Sequence, residues 1–202
     1  MTESADTSRG RLFVISAPSG AGKTSLTHAV IERLAGHGRE VCFSVSYTTR
    51  APRAGETDGV DYHFVDEARF VAMIEAGAFL EHARVFDRRY GTGRAETERR
   101  LDAGLDVVLD IDWQGARQVR AASPDVTTIF IKPPSRDELE RRLRNRALDD
   151  EATIARRMAE ADEELAHAHE YDHHVTNDDF ATAVEELTGV FLSMLASRGG
   201  IA

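Results

Sequence analysis

The sequence has a single cysteine, Cys42, so no intrachain disulfide can form and nothing in it requires an oxidising compartment. Flanked by Val41 and Phe43, that cysteine is expected to be a small buried hydrophobe. An excess of positive charge is missing too. The 25 Lys and Arg against 35 Asp and Glu leave a net charge of −10, which argues against broad capture of nucleic acid, because a phosphate backbone demands a basic face. No apolar run approaches membrane-spanning length, and residues 1–9 carry no basic start followed by an apolar stretch, so a cytoplasmic setting is expected. No repeat or low-complexity segment is visible. What remains is a chain of 202 residues, 42% hydrophobic and 30% charged, able to build one well-buried core.

Against that background one stretch stands out: Ser16-Ala17-Pro18-Ser19-Gly20-Ala21-Gly22-Lys23-Thr24, set between the apolar run Leu12 to Ile15 and a helix-patterned segment. Strand, glycine-bearing turn and helix in that order aim several backbone N–H groups at one spot, and the helix N-terminus adds partial positive charge. An anion belongs there. Lys23 would reach the terminal phosphates of a nucleoside triphosphate, and the Thr24 hydroxyl would sit on Mg²⁺. Ala17 stands where the first glycine of G-x-x-x-x-G-K-[ST] is expected, while Gly20 and Gly22 keep the turn flexible. The bland alternative is a strand-to-helix turn with a solvated lysine, and the flanking strand and helix weigh against it.

Taken in order, Arg11 to Ser16 reads as a buried strand and the helix after Thr24 places Leu26, Val30, Ile31 and Leu34 on one face, ending at Gly36 and Gly38. Val41 to Ser46 is a second strand, followed by an aperiodic loop from Tyr47 to Glu56 that carries Arg50 and Arg53. Those arginines suit an anion, or else an exposed basic turn. Asp61 to Val65 reads as a strand, Asp66 as the cap of a helix to about Glu75, Ala78 to Phe86 as a strand, and Arg88 to Gly93 as a turn before a polar helix. Glu81, alone on its strand, reads first as a solvated outer face. Leu105 to Asp110 is an apolar strand ending in an acid, where a Mg²⁺-organising carboxylate is wanted; the lesser alternative is that Asp110 caps a helix or turn.

Val126 to Ile131 is the next strand and Pro133-Pro134 stops it. Ser135-Arg136-Asp137-Glu138 supplies a capping box for a helix with Arg142 and Arg146 on one face. Arg157 lies on the following helix, whose apolar stripe is Ile154, Met158, Ala161, Leu165 and Ala168, and the break at Asp149-Asp150 makes the pair a helical hairpin. As an isolated segment it reads as a salt-bridged surface; beside a phosphate loop it reads as a lid. Asp172 to Thr176 is a last strand whose adjacent His173 and His174 point to opposite sides and make a poor metal pair. Asn177-Asp178-Asp179 caps the final helix, with the stripe Phe180, Val184, Leu187, Phe191 and Leu195.

With these segments in place, the chain resembles guanylate kinase, of the nucleoside monophosphate kinase group, over nearly all of residues 11–197. The resemblance rests on Ser-Gly-Ala-Gly-Lys-Thr at 19–24, Ser46 through Glu56, Asp61-Tyr62-His63-Phe64, Phe79-Leu80-Glu81, Tyr90-Gly91-Thr92, Leu109 through Gly115, and Val175 through Asp179, in that order and spacing. It implies an α/β fold, the parallel sheet of a P-loop NTPase flanked by helices. The single domain over 10–197 would comprise a core (10–46, 105–135 and 166–197), a GMP-binding insertion (47–104) and a helical lid (136–165), with flexible ends at 1–9 and 198–202. The implied reaction is ATP + GMP giving ADP + GDP, in purine nucleotide metabolism.

Carried residue by residue, the resemblance implies that Ser19, Gly20, Ala21, Gly22, Lys23, Thr24, Ser25, Arg142, Asn177 and Asp178 hold ATP, and that Thr24 and Asp110 organise Mg²⁺. Arg50, Arg53, Tyr62 and Tyr90 would hold the GMP phosphate; Glu81, Ser46 and Thr92 would read the base, with Asp110 and Asp112 nearby. A carboxylate accepts the guanine N1–H and amino hydrogens, which adenine does not offer, so adenine should be rejected. Lys23, Arg53, Arg146 and Arg157 are the expected catalytic residues. No residue named here reads the 2′-hydroxyl, so the use of dGMP as well as GMP is left open. The lid reads Arg144-Asn145-Arg146-Ala147 where many relatives have glycine beside the second arginine. The rival readings are a non-catalytic guanylate-kinase-like interaction module and a related ribose bisphosphate kinase. Neither nucleic acid nor membrane is an expected partner, and the oligomeric state is open.

Overall fold

A computed structural model describes residues 9–85, 87–145 and 150–196. The strands are β1 (Leu12–Ser16), β2 (Val41–Phe43), β3 (Tyr47–Thr48), β4 (His63–Phe64), β5 (Phe79–Val85), β6 (Arg88–Gly93), β7 (Asp106–Asp110), β8 (Thr127–Lys132) and β9 (His173–Thr176). The helices are α1 (Lys23–Gly36), α2 (Glu67–Glu75), α3 (Arg94–Asp102), α4 (Trp113–Ala122), α5 (Arg136–Asn145), α6 (Glu151–Ala166) and α7 (Phe180–Ala196). Five strands order as β2-β7-β1-β8-β9, with β2–β7 and β8–β9 paired in parallel, and four as β4-β3-β6-β5. This is the helix-flanked parallel sheet of the P-loop NTPase class.

The described residues divide into two compact units, the cut passing through β1: 9–13, 41–85, 87–109 and 114–126 form one, and 14–40, 110–113, 127–145 and 150–196 the other. In the second unit, Val14, Ile15, Ile129, Phe130 and Ile131 are fully buried, as expected of strands covered on both faces. The helical hairpin has a small core of its own, Leu139, Leu143, Ile154, Met158 and Ala161, its larger aliphatic side chains each contributing roughly 1.5–3 kcal/mol by burial. Caps set its helix starts: Ser135 Oγ accepts from the Glu138 N–H at 3.1 Å and Asp150 from the Thr153 N–H at 2.7 Å. In the first unit Asp66 caps α2 in the same way, at 2.7 Å from the Arg69 N–H.

Several elements differ from the sequence reading. Val41 to Ser46 is not one strand: β2 ends at Phe43, and Tyr47–Thr48, read as loop, opens the four-stranded sheet instead. Only His63–Phe64 of the segment Asp61 to Val65 pairs as a strand. Arg88 to Gly93 is a strand rather than a turn, because β6 lies between β5 and β3 and pairs antiparallel with both, so neighbours override a polar, glycine-bearing sequence. Phe180 is 47% exposed and does not join the buried stripe of α7, which Ala183 and Thr188 complete. Cys42 is half-buried rather than fully buried. The polar pair His173-His174 sits on β9, an edge strand, where one flank is open and polar residues are tolerated; His174 Nε2 contacts the Ala168 carbonyl at 2.7 Å. Arg146, Ala147 and Asp149 lie outside the described residues, as do the ends at 1–8 and 197–202.

Candidate active site

The phosphate loop, in the second unit, is shaped by its main chain. Gly22 adopts φ 89°, and a Cβ there would stand 2.5 Å from Asn177 Nδ2, so both conformation and space demand glycine. Asn177 is buried and donates from Nδ2 to the Ala21 carbonyl at 2.7 Å, while its own carbonyl accepts from Arg142 Nη2 at 3.1 Å. Arg142 is held further by Glu138, at 2.9 Å. Thus the loop, Asn177 and Arg142 form one connected group, while Ser19, Thr24 and Ser25 are exposed and Gly20 is half-buried. Asp178 is exposed in the turn before α7, and Arg157 is half-buried on α6.

Lys23 is ion-paired with Asp110 at the end of β7. Burial alone would lower its pKa, but Asp110, Glu164 and Asp112 outweigh that and raise it, so the ammonium stays charged. Glu164 had no place in the sequence reading. Burial pushes its carboxyl up to about 7, against the pull of Lys23 and with the help of Asp112 and Asp110, and its Oε2 is buried with no hydrogen-bond partner among the described residues. The signal was there: Glu164 follows Ala161 by three residues and Met158 by six, in phase with the buried stripe of α6.

The second cluster lies in the first unit, on and beside the four-stranded sheet. Glu81, far from being solvated, is 3% exposed and accepts from the Thr92 hydroxyl at 2.6 Å. Thr92 is its cross-strand partner, and Tyr90, two residues along β6, shares that face. Arg50 lies over the Tyr62 ring at 5.1 Å, and the Tyr62 and Tyr90 rings are 6.0 Å apart. Glu56 fixes the loop by taking both Arg50 terminal nitrogens, at 2.9 and 2.7 Å, and the Arg53 N–H at 2.7 Å. The hydrogen bonds from Arg50 and Arg53 hold its carboxyl down to about 2. The Arg53 side chain is exposed and Ser46 half-buried. Glu56 was in the quoted motif without a role; an acid between two loop arginines was its only mark.

The expected residues therefore gather into two groups. Ser46, Arg50, Arg53, Tyr62, Glu81, Tyr90 and Thr92 belong to the first unit, and the phosphate loop, Arg142, Arg157, Asn177 and Asp178 to the second. Asp110 and Asp112 fall in the second unit with Lys23. Comparison with known proteins bears on what these groups do. The guanylate kinase family model matches residues 9–194. A guanylate kinase of Chromohalobacter salexigens is 57% identical over 181 residues, 90% of this chain and 82% of the relative. One of Alkalilimnicola ehrlichii is 53% identical over 182 residues, 90% of this chain and 88% of the relative. The chain belongs to the guanylate kinase family. A solved guanylate kinase, from Anaplasma phagocytophilum, matches with a TM-score of 0.73 at 34% identity, covering 92% of this chain and 86% of that one. Guanylate kinase membership upholds the reading as an ATP:GMP phosphotransferase over the non-catalytic module and the ribose bisphosphate kinase.

Proposed function

We propose that the two groups divide the ATP:GMP phosphotransfer between donor and acceptor, the phosphate-loop group holding ATP and the Glu81 group holding GMP. The observation that carries this is the segregation itself: residues assigned to ATP fall in one compact unit and those assigned to the GMP phosphate and base, apart from Asp110 and Asp112, in the other. Phosphoryl transfer needs positioning and charge neutralisation more than covalent chemistry, and the residue types fit that need.

On the donor side, loop N–H groups and the α1 N-terminus receive the phosphates. Lys23 exchanges Asp110 for the terminal phosphates, and Arg142 and Asn177 lie at the edge of the loop to meet the nucleotide. The Thr24 hydroxyl and the carboxylate that Lys23 releases are hard oxygen donors, and Mg²⁺ is usually bound through one or two protein oxygens together with substrate phosphates. The residues fit that ion. When bound, Mg²⁺ neutralises charge on the β- and γ-phosphates. Arg157 and Arg146 offset charge on the transferred group.

On the acceptor side, Arg50 arrives pre-aimed because Glu56 and the Tyr62 ring fix its guanidinium, while Arg53 meets the phosphate as it docks. Glu81 accepts from guanine N1–H and the 2-amino group, with Thr92 and Ser46 beside it. Buried beside the Thr92 hydroxyl, its carboxylate rejects adenine, which offers neither the N1–H nor the 2-amino hydrogens that would meet it. The GMP phosphate is already an anionic nucleophile, so no general base is required. A cytoplasmic setting and use of dGMP go with this reading.

The test is ADP formation from ATP and Mg²⁺ with GMP, dGMP, AMP, UMP or ribose 1,5-bisphosphate as acceptor, with the product identified directly. GDP from GMP, with little turnover of AMP or UMP and none of the ribose bisphosphate, is expected. Equal use of AMP would remove Glu81 from base reading.

A further inference from the structure

β5 is an edge strand of the four-stranded sheet, so its outer flank presents backbone groups with no strand to pair them. At His82 that flank is closed by a side chain. Gln118, on α4, accepts from the His82 N–H through Oε1 at 3.1 Å and donates from Nε2 to the His82 carbonyl at 2.8 Å. A carboxamide carries acceptor and donor side by side, so it pairs with one residue of an edge as a neighbouring strand would. The second hydrogen of Nε2 goes to the Gln114 carbonyl, one helical turn back, at 3.3 Å, which fixes the amide's orientation.

The clamped residue is the neighbour of Glu81, and two further features converge there. The β5–β6 register slips between Phe79 and Glu81, so Leu80 is an extra residue, a bulge that re-aims the side chains beside it. Across the ladder Gly91 lets the strands close: a Cβ on it would lie 3.1 Å from the Glu81 carbonyl and 3.0 Å from the Phe79 ring. A bulge lets an edge strand swing, and Gln118 removes that freedom one residue past it.

We propose that Gln118 is a positioning residue for guanine recognition, its carboxamide clamping the β5 backbone at His82 so that the Glu81 carboxylate points at the guanine edge. This rests on the reading of Glu81 as the base-reading group. Gln118 touches neither nucleotide, and its loss leaves the phosphate loop as it is. Without the clamp the Glu81 carboxylate must be ordered when GMP binds, so the loss falls on GMP and not on ATP.

The experiment uses the full chain with Gln118→Met, which keeps length and helix propensity but loses both hydrogen bonds, and Gln118→Glu, which keeps the acceptor and loses the donor. Glu81→Gln is the reference. Steady-state constants are measured for ATP, GMP and IMP, since IMP keeps N1–H and lacks the 2-amino group that Glu81 must find. Hydrogen exchange is followed at the β5 backbone. Gln118→Met is expected to raise KM for GMP about tenfold, the order for two lost hydrogen bonds, with KM for ATP within twofold. It should also bring the GMP:IMP ratio toward that of Glu81→Gln and speed exchange at His82, with Gln118→Glu intermediate. Unchanged exchange at His82, or a GMP:IMP ratio held within twofold while Glu81→Gln loses it, overturns the clamp. If Glu81→Gln itself leaves the ratio unchanged, the base-reading assignment falls and this proposal with it. A fall in activity that is equal for ATP and GMP in a folded variant overturns it as well.

Discussion

In the phosphate-loop unit the main chain does most of the positioning: the left-handed turn at Gly22, the start of α1 and the Asn177 bond to the Ala21 carbonyl shape the loop proposed to receive the nucleotide phosphates. In the Glu81 unit the positioning is done largely by side chains bonded to one another or to an edge strand, as in Arg50 with Glu56, Glu81 with Thr92, and Gln118 with His82. The difference matches the tasks. Phosphates are alike in every nucleoside triphosphate, and backbone N–H groups suit them without regard to base. Guanine differs from adenine by a few donors and acceptors, so its reader needs side chains held in one orientation. On this account the first arrangement should tolerate surface substitution, and the second should respond to single changes at the residues that hold Arg50 and Glu81 in place.

Substitutions that respect or blur this division test it. The largest effect is expected from Lys23→Met, which removes the loop's only side-chain cation: kcat should fall about 10³-fold while KM for GMP stays within a few fold. Next, Glu81→Gln should lower kcat/KM for GMP by about 10²-fold or more and leave KM for ATP unchanged in initial-rate measurements. Glu56→Gln should raise KM for GMP about fivefold by freeing Arg50, again without touching ATP. It should also change the acid response. The Glu56 carboxyl is held down to about 2 from an ordinary 4.5, so its contribution to stability is fully present above about pH 4.5 and is lost as pH falls toward 2. Thermal melts of Glu56→Gln and the parent protein should therefore differ at pH 6 and converge near pH 2.

The smallest effect concerns Glu164, whose carboxyl is pushed up from 4.5 to about 7 by burial, opposed by Lys23 and aided by Asp112, Asp110 and Glu160. A raised carboxylate favours the folded state most at low pH, and that stability is lost as pH rises from about 4.5 through 7. Glu164→Gln should thus melt about 2–4 °C above the parent protein at pH 8 and converge with it below pH 4.5. A melting difference that does not depend on pH would mean that the carboxylate is not held out of water.

The same division explains what the sequence disclosed. A phosphate loop is contiguous, so Gly20, Gly22, Lys23 and Thr24 announce themselves with their flanking strand and helix. Strands β1, β7 and β8 were legible because both faces are buried and the runs are apolar. The four-stranded sheet was less so. β6 is Arg-Arg-Tyr-Gly-Thr-Gly, which has no strand pattern until β3 and β5 flank it, and β3 and β4 are two residues each. Glu81 had significance only through resemblance, since no spacing links it to Thr92 eleven residues on. Gln118 was invisible for the same reason, and the stripe of its helix marked Glu164 as inward-facing without naming its partners, which are set by packing and not by sequence interval.

The most direct measurement is calorimetric titration of the parent protein, Lys23→Met and Glu81→Gln, each with Mg·ADP and separately with GMP. If the two nucleotides are held by separate groups, Lys23→Met weakens Mg·ADP and leaves the GMP Kd within twofold, and Glu81→Gln does the reverse. Loss of both nucleotides in either folded variant would contradict the division of the site into a donor and an acceptor half.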